Sequence, residues 1–120
     1  MKTFYKQPSE LLDYDFNYSE WLVDDDILSD AVISIEDLST GSKLTLKVKN
    51  IPFSELQAGD YDVIGPLPNV IITFFVVADE YVKVWVDGGD DREKYKITCT
   101  AETHNGRIKE SEAILKIKEQ

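Results

Sequence analysis

The segment Lys43 to Lys49, KLTLKVK, sets Leu44, Leu46 and Val48 on one parity against Lys43, Thr45, Lys47 and Lys49 on the other. A period of two is the mark of a strand with one dry face and one wet face, and it recurs along most of the chain. Leu12, Tyr14, Phe16 and Tyr18 alternate with Asp13, Asp15, Asn17 and Ser19, and Ala31, Ile33 and Ile35 alternate with Asp30, Val32, Ser34 and Glu36. Further strands are expected over 70–77, 81–87, 93–103 and 107–117, the last two joined by His104-Asn105-Gly106, where Asn-Gly supplies the positive φ of a tight hairpin. Residues 50–69 hold three prolines and two glycines, which predicts a long excursion with at most a short strand near Tyr61 to Ile64. Seven or eight short strands with short connections predict an all-β fold, an immunoglobulin-like antiparallel β-sandwich, with a small barrel as the alternative. At 120 residues, the chain is expected to form a single domain over 1–120.

Charge narrows the partners. With 23 acidic against 13 basic residues and a net charge of −10, no basic stripe is present to follow phosphates, so no nucleic-acid partner is expected. Anionic lipid is repelled for the same reason, and no apolar run of about 18 residues exists, so no membrane partner is expected. The start, Met-Lys-Thr-Phe-Tyr-Lys-Gln-Pro, has no apolar stretch of signal-peptide length, which predicts synthesis that finishes in a cytoplasm. The single cysteine, Cys99, cannot close an internal disulfide.

Reactive chemistry finds little footing. One His and one Cys do not make a zinc site. Cys99 and His104 lie about 16 Å apart along an extended strand at roughly 3.3 Å per residue, too far for a nucleophile and its base. Cys99 shares its parity with Tyr95 and Ile97 and is expected to be a small buried hydrophobe. Asp13 and Asp15 share a strand face as an acid pair would, but in so acidic a chain such pairs arise by chance, and a solvated outer face that discourages edge-to-edge pairing is the better reading. The runs Asp24-Asp25-Asp26 and Asp87, Asp90, Asp91 lack the spacing of a calcium loop, and Gly88-Gly89 precedes a strand where a phosphate cradle needs a helix. No metal, cofactor or catalytic residue is therefore expected.

The aromatic and apolar pattern is more informative. Tyr14, Phe16 and Tyr18 read as a core face rather than a sugar platform. On the later strand Val82, Val84 and Val86 take the core parity, which puts Tyr81, Lys83 and Trp85 on the outside, where a large aromatic marks either a contact or packing under a lysine stem. VIITFFVV, residues 70–77, is apolar on both parities except at Thr73. Its second face, assigned to Ile71, Phe75 and Val77, requires a cover, supplied either by the 50–69 excursion or by another chain in an oligomer.

Two blocks resemble a known family. KQPSELLDYDFNYSEWL, residues 6–22, and VWVDGGDDREKYKITCTAETHNGRIKESEAILKIKE, residues 84–119, resemble small tailed-phage virion proteins described as fibre-tail adaptor-like or Ig-like. The matching positions are Leu12, Asp13, Tyr14, Trp21 and Leu22 in the first block, and Val84, Trp85, Gly88, Gly89, Tyr95, Ile97, Thr98, Gly106 and Arg107 in the second. Val86 stands where the family pattern has leucine, and the middle, about 38–80, shows no motif. The resemblance implies a non-enzymatic virion protein near the tail or its fibres, assembled in the host cytoplasm, whose partners are other tail, fibre or connector proteins. A carbohydrate-binding or adhesive module, using the exposed aromatics and acidic turns, is the alternative from a different class.

Overall fold

The computed structural model describes residues 2–7, 9–50, 61–64, 70–88 and 91–118, with residues 2, 48–49, 61–64 and 70–76 described as backbone. Among them are nine strands: β1 (Lys2–Lys6), β2 (Leu12–Asn17), β3 (Leu28–Asp37), β4 (Lys43–Lys49), β5 (Tyr61–Ile64), β6 (Val70–Val77), β7 (Tyr81–Gly88), β8 (Lys94–Thr103) and β9 (Ile108–Ile117). They form a six-stranded sheet, ordered β1-β9-β8-β3-β4-β5, and a three-stranded sheet, ordered β2-β7-β6. The fold is all-β, with two sheets in a sandwich.

Alternation places the core between the layers. β3 contributes Ala31, Ile33 and Ile35, which register with Ala101, Cys99 and Ile97 of β8 on one side and with Val48, Leu46 and Leu44 of β4 on the other. From the smaller sheet Val82, Val84 and Val86 of β7 and Phe16 of β2 face them, all buried. Tyr95, Leu115 and Ile117 complete the layer. Apolar faces of this kind are stable only when closed against each other, since each sheet alone would leave its inner row in water.

β1 was not expected, and it runs parallel to β9, so the fold is not antiparallel throughout. Its five residues are too short to show a period in the sequence. Three-dimensional contacts hold it: Phe4 stacks on Tyr14 with ring centroids 4.4 Å apart and meets Phe16 edge-on at 6.1 Å. Lys6 is buried, and its ammonium donates to the Gly88 carbonyl at 2.6 Å and the Gln7 carbonyl at 2.7 Å, which ties the end of β1 to the end of β7 in the opposite sheet. Burial lowers the Lys6 pKa from its ordinary value, against the pull of the Asp87 and Glu10 carboxylates.

The β8–β9 turn differs from the expected form in one respect. Gly106 has φ of 85°, while Asn105 does not have positive φ. The Gly106 N–H donates to the Thr103 carbonyl at 3.0 Å and the Thr103 N–H to the Arg107 carbonyl at 2.9 Å, the pattern of a three-residue loop closed by a left-handed glycine. At the β3–β4 turn, Gly41 takes φ of 78° and the Asp37 carboxylate accepts the Ser39 N–H at 2.9 Å and its hydroxyl at 2.8 Å. Burial pushes the Asp37 carboxyl up, but the hydrogen bonds from Ser39 and Thr40 outweigh it and hold the pKa below its ordinary value.

Two outcomes follow. Ile33→Ala, at the centre of the six-stranded sheet, should cost about 2–5 kcal/mol in urea unfolding, the range for a truncated core isoleucine. A carboxyl with a depressed folded pKa stabilises the fold above its unfolded value and loses that contribution as pH falls through the folded one. Asp37→Asn should therefore lower the melting temperature at neutral pH, with a difference from the parent that closes as pH drops below about 4.

Candidate docking faces

β7 divides cleanly into two rows. Val82, Val84 and Val86 are each 0% exposed, whereas Tyr81, Lys83 and Trp85 occupy the other parity, Tyr81 exposed and the other two half-buried. The outer placement of these three residues, expected from alternation, is where the structure has them. β2 registers Asp13 opposite Trp85, Asp15 opposite Lys83 and Asn17 opposite Tyr81. The Lys83 ammonium bridges both acids, at 3.1 Å to Asp13 Oδ2 and 3.7 Å to Asp15 Oδ1. The hydrogen bond to Asp13, joined by the charge of Asp15, raises the Lys83 pKa. Both carboxylates are thus engaged by one cation on an exposed strand, and no apolar enclosure sets one apart as a proton donor.

The apolar strand β6 is reinterpreted by its register. A bulge lies between Ile72 and Phe74: Ile71 registers with Asp87 and Ile72 with Val86, whereas Phe74 registers with Trp85, Phe75 with Val84 and Val77 with Val82. The extra residue at Thr73 shifts the parity, so Ile71, Phe75 and Val77 do not form the single row that uninterrupted alternation predicts. Val77 is 1% exposed and belongs to this chain's core, not to a docking row. The side chains of Ile71 and Phe75, and the excursion proposed to cover them, lie outside the described residues.

The two sequence blocks meet at one end of the sandwich. The Arg107 guanidinium lies 4.2 Å above the Trp21 ring and donates to the Trp21 carbonyl at 3.2 Å. Trp21 also meets Tyr18 edge-on at 6.1 Å. The hydroxyl of Tyr18 reaches the Cys99 carbonyl at 3.5 Å, and burial raises its pKa. The Trp-Leu and Gly-Arg positions therefore pin the loop after β2 onto the β8–β9 turn, a packing role that sequence separation conceals.

Reactive groups are dispersed. Cys99 is 0% exposed, with its pKa pushed up to about 12 by burial, and His104 sits exposed in the turn. Asp26 turns inward, its Oδ1 accepting the N–H groups of Ile27 at 3.0 Å and Asn105 at 3.3 Å, while Asp24 and Asp25 are exposed. Among the described residues no three His, Cys, Asp or Glu side chains are grouped to hold a metal ion; Asp90 lies outside them. The burial of Cys99 has a direct readout: iodoacetamide should leave it unmodified in the native protein at neutral pH and label it fully in urea, as mass spectrometry will report.

The described residues form a two-layer sandwich in which Trp21 and Arg107 are spent on packing, Gly106 on a turn, and Tyr81 and Trp85 lie on the outer parity of β7. The chain belongs to the podophage GP4 fibre-tail adaptor protein gp77 family, which it matches over residues 6–116. That span includes the middle segment where no motif was visible. A fibre-tail adaptor is a structural component of the phage virion that binds other tail proteins. No curated protein matches the chain.

Proposed function

We propose that this adaptor docks a neighbouring tail protein on the outer face of the β2-β7-β6 sheet, centred on Trp85 and flanked by Tyr81 and Lys83. The observation that carries the reading is the contrast between the two rows of β7: an inner row entirely of valine, and an outer row in which two aromatics bracket a lysine. Aromatic side chains with half-buried flanks supply contact area at low entropic cost, and they dominate protein interfaces. β6 runs beside β7 with Phe74 in register with Trp85 and Val76 with Lys83. Ile71, opposite Asp87, lies one residue inside the far end of the strand. The Asp13–Lys83–Asp15 cluster forms a polar rim that selects partners by charge and contributes little to affinity, as exposed ion pairs do. The protein assembles in the host cytoplasm, as one copy among several in the tail, with no chemical step to perform.

Trp85→Glu should leave the melting temperature within a few degrees of the parent and abolish incorporation into purified particles, read by quantitative mass spectrometry. Normal incorporation of that variant would remove the docking face. Binding to a glycan array that collapses in Trp85→Glu, with incorporation intact, would move the aromatic row to carbohydrate recognition.

A further inference from the structure

The other outer face carries a charge pattern that runs against the composition. Lys94 of β8 and Lys116 of β9 are direct cross-strand partners, and Lys116 registers in turn with Tyr5 of β1. Like charges placed opposite one another destabilise a sheet. In a chain with 23 acidic residues against 13 basic ones, acids to relieve them are plentiful. Relief goes elsewhere: Lys96 pairs with Glu112 at 3.3 Å and registers with Glu36, and Glu93 accepts the Ser39 hydroxyl at 2.7 Å. Among the described residues no ion pair reaches Lys94, Lys116 or Lys118. Beside them Tyr5 is 65% exposed, with the Lys116 ammonium 6.0 Å from its ring centroid.

We propose that this row, Tyr5 with Lys94, Lys116 and Lys118, binds a carboxylate-rich segment of another protein chain. The exposed ring offers a ledge for the segment's carbon stems, and the ammonium groups offer donors to its carboxylates. A protein segment fits better than nucleic acid, because Glu36 and Glu112, both against Lys96, border the patch and a net charge of −10 repels a dense line of phosphates. A second copy of this chain fits less well, since its Asp13 and Asp15 already hold Lys83 and two bodies of charge −10 repel. An acidic partner is repelled over most of the surface and attracted here, so the patch fixes its orientation as well as its position. The site lies on the opposite sheet from Trp85, which gives the adaptor a second contact. It rests on the adaptor reading only for the identity of the partner as a tail protein.

The test uses the whole chain and, as probe, a fluorescent peptide of about twelve alternating glutamates and alanines, titrated by anisotropy at low and physiological salt. The parent should bind. The double reversal Lys94→Glu with Lys116→Glu should weaken binding by about tenfold or more without a fall in melting temperature, and Tyr5→Ala should weaken it several-fold. Trp85→Glu should bind the peptide as the parent does, so a failure of the Trp85 face in particle incorporation is read separately. No binding by the parent, or equal binding by the double reversal, overturns the proposal. Tighter binding of a single-stranded oligonucleotide of equal charge overturns it in favour of nucleic acid. Sedimentation showing self-association that the double reversal abolishes overturns it in favour of a second copy.

Discussion

The closure of two apolar rows against each other is the interaction on which everything else in this molecule depends. β3 lies inside the larger sheet with β8 and β4 at its sides, and its Ala31, Ile33 and Ile35 press toward Val82, Val84 and Val86 across the gap. Because strand side chains alternate strictly, committing those residues inward commits their neighbours outward. The outer positions of β7 are thus a by-product of core formation. Tyr81, Lys83 and Trp85 take the outer parity because the valines between them take the inner one, so this outer row comes with the fold at no additional structural cost.

The same logic explains why the edges receive special treatment. β2 is a free edge of the small sheet, and it carries Asp13 and Asp15 on its outer parity, charges that discourage indiscriminate pairing with another strand. The larger sheet ends at β1, whose inner residues are anchored by an aromatic stack and by the buried ammonium of Lys6. Lys6 is the more unusual device. It is a buried cation that donates to the Gln7 and Gly88 carbonyls within reach of the Asp87 and Glu10 charges, and so connects the two layers by something other than hydrophobic contact. Removing its side-chain nitrogen would leave the Gly88 carbonyl without that donor, a larger loss than the bond itself is worth in water.

Most of the fold was legible because the period of two is written residue by residue. The bounds of β4, β5 and β6 agree with the runs 43–49, 61–64 and 70–77, and those of β7, β8 and β9 differ by about one residue from the expected runs, as strand ends commonly do. What escaped was whatever depends on distant contact or on a break in the period. β1 has too few residues to show alternation, and it is the contacts of Phe4 with Tyr14 and Phe16 and of Lys6 with Gly88 that reveal its purpose. The bulge in β6 changed which residues of VIITFFVV share a row, and nothing local marks Thr73 as an insertion. The stack of Arg107 on Trp21 joins residues 86 positions apart. Both belong to the blocks that carry the family resemblance, which was the one available hint that they meet. Of the candidate site, the Tyr81, Lys83 and Trp85 row followed from parity alone, and Val77 did not, because its parity was counted across the bulge.

The parallel pairing of β1 with β9 bears on how this body carries a load. Lys2 registers with Ala113 and Lys6 with Ile117, so the beginning of the first strand and the end of the last leave the pair in opposite directions. Tension between those two points slides the strands past one another and strains every backbone hydrogen bond of the ladder together. An antiparallel closing pair pulled from adjacent ends would instead peel apart one bond at a time. The first and last strands are thereby joined by a ladder that resists being drawn apart along its own length.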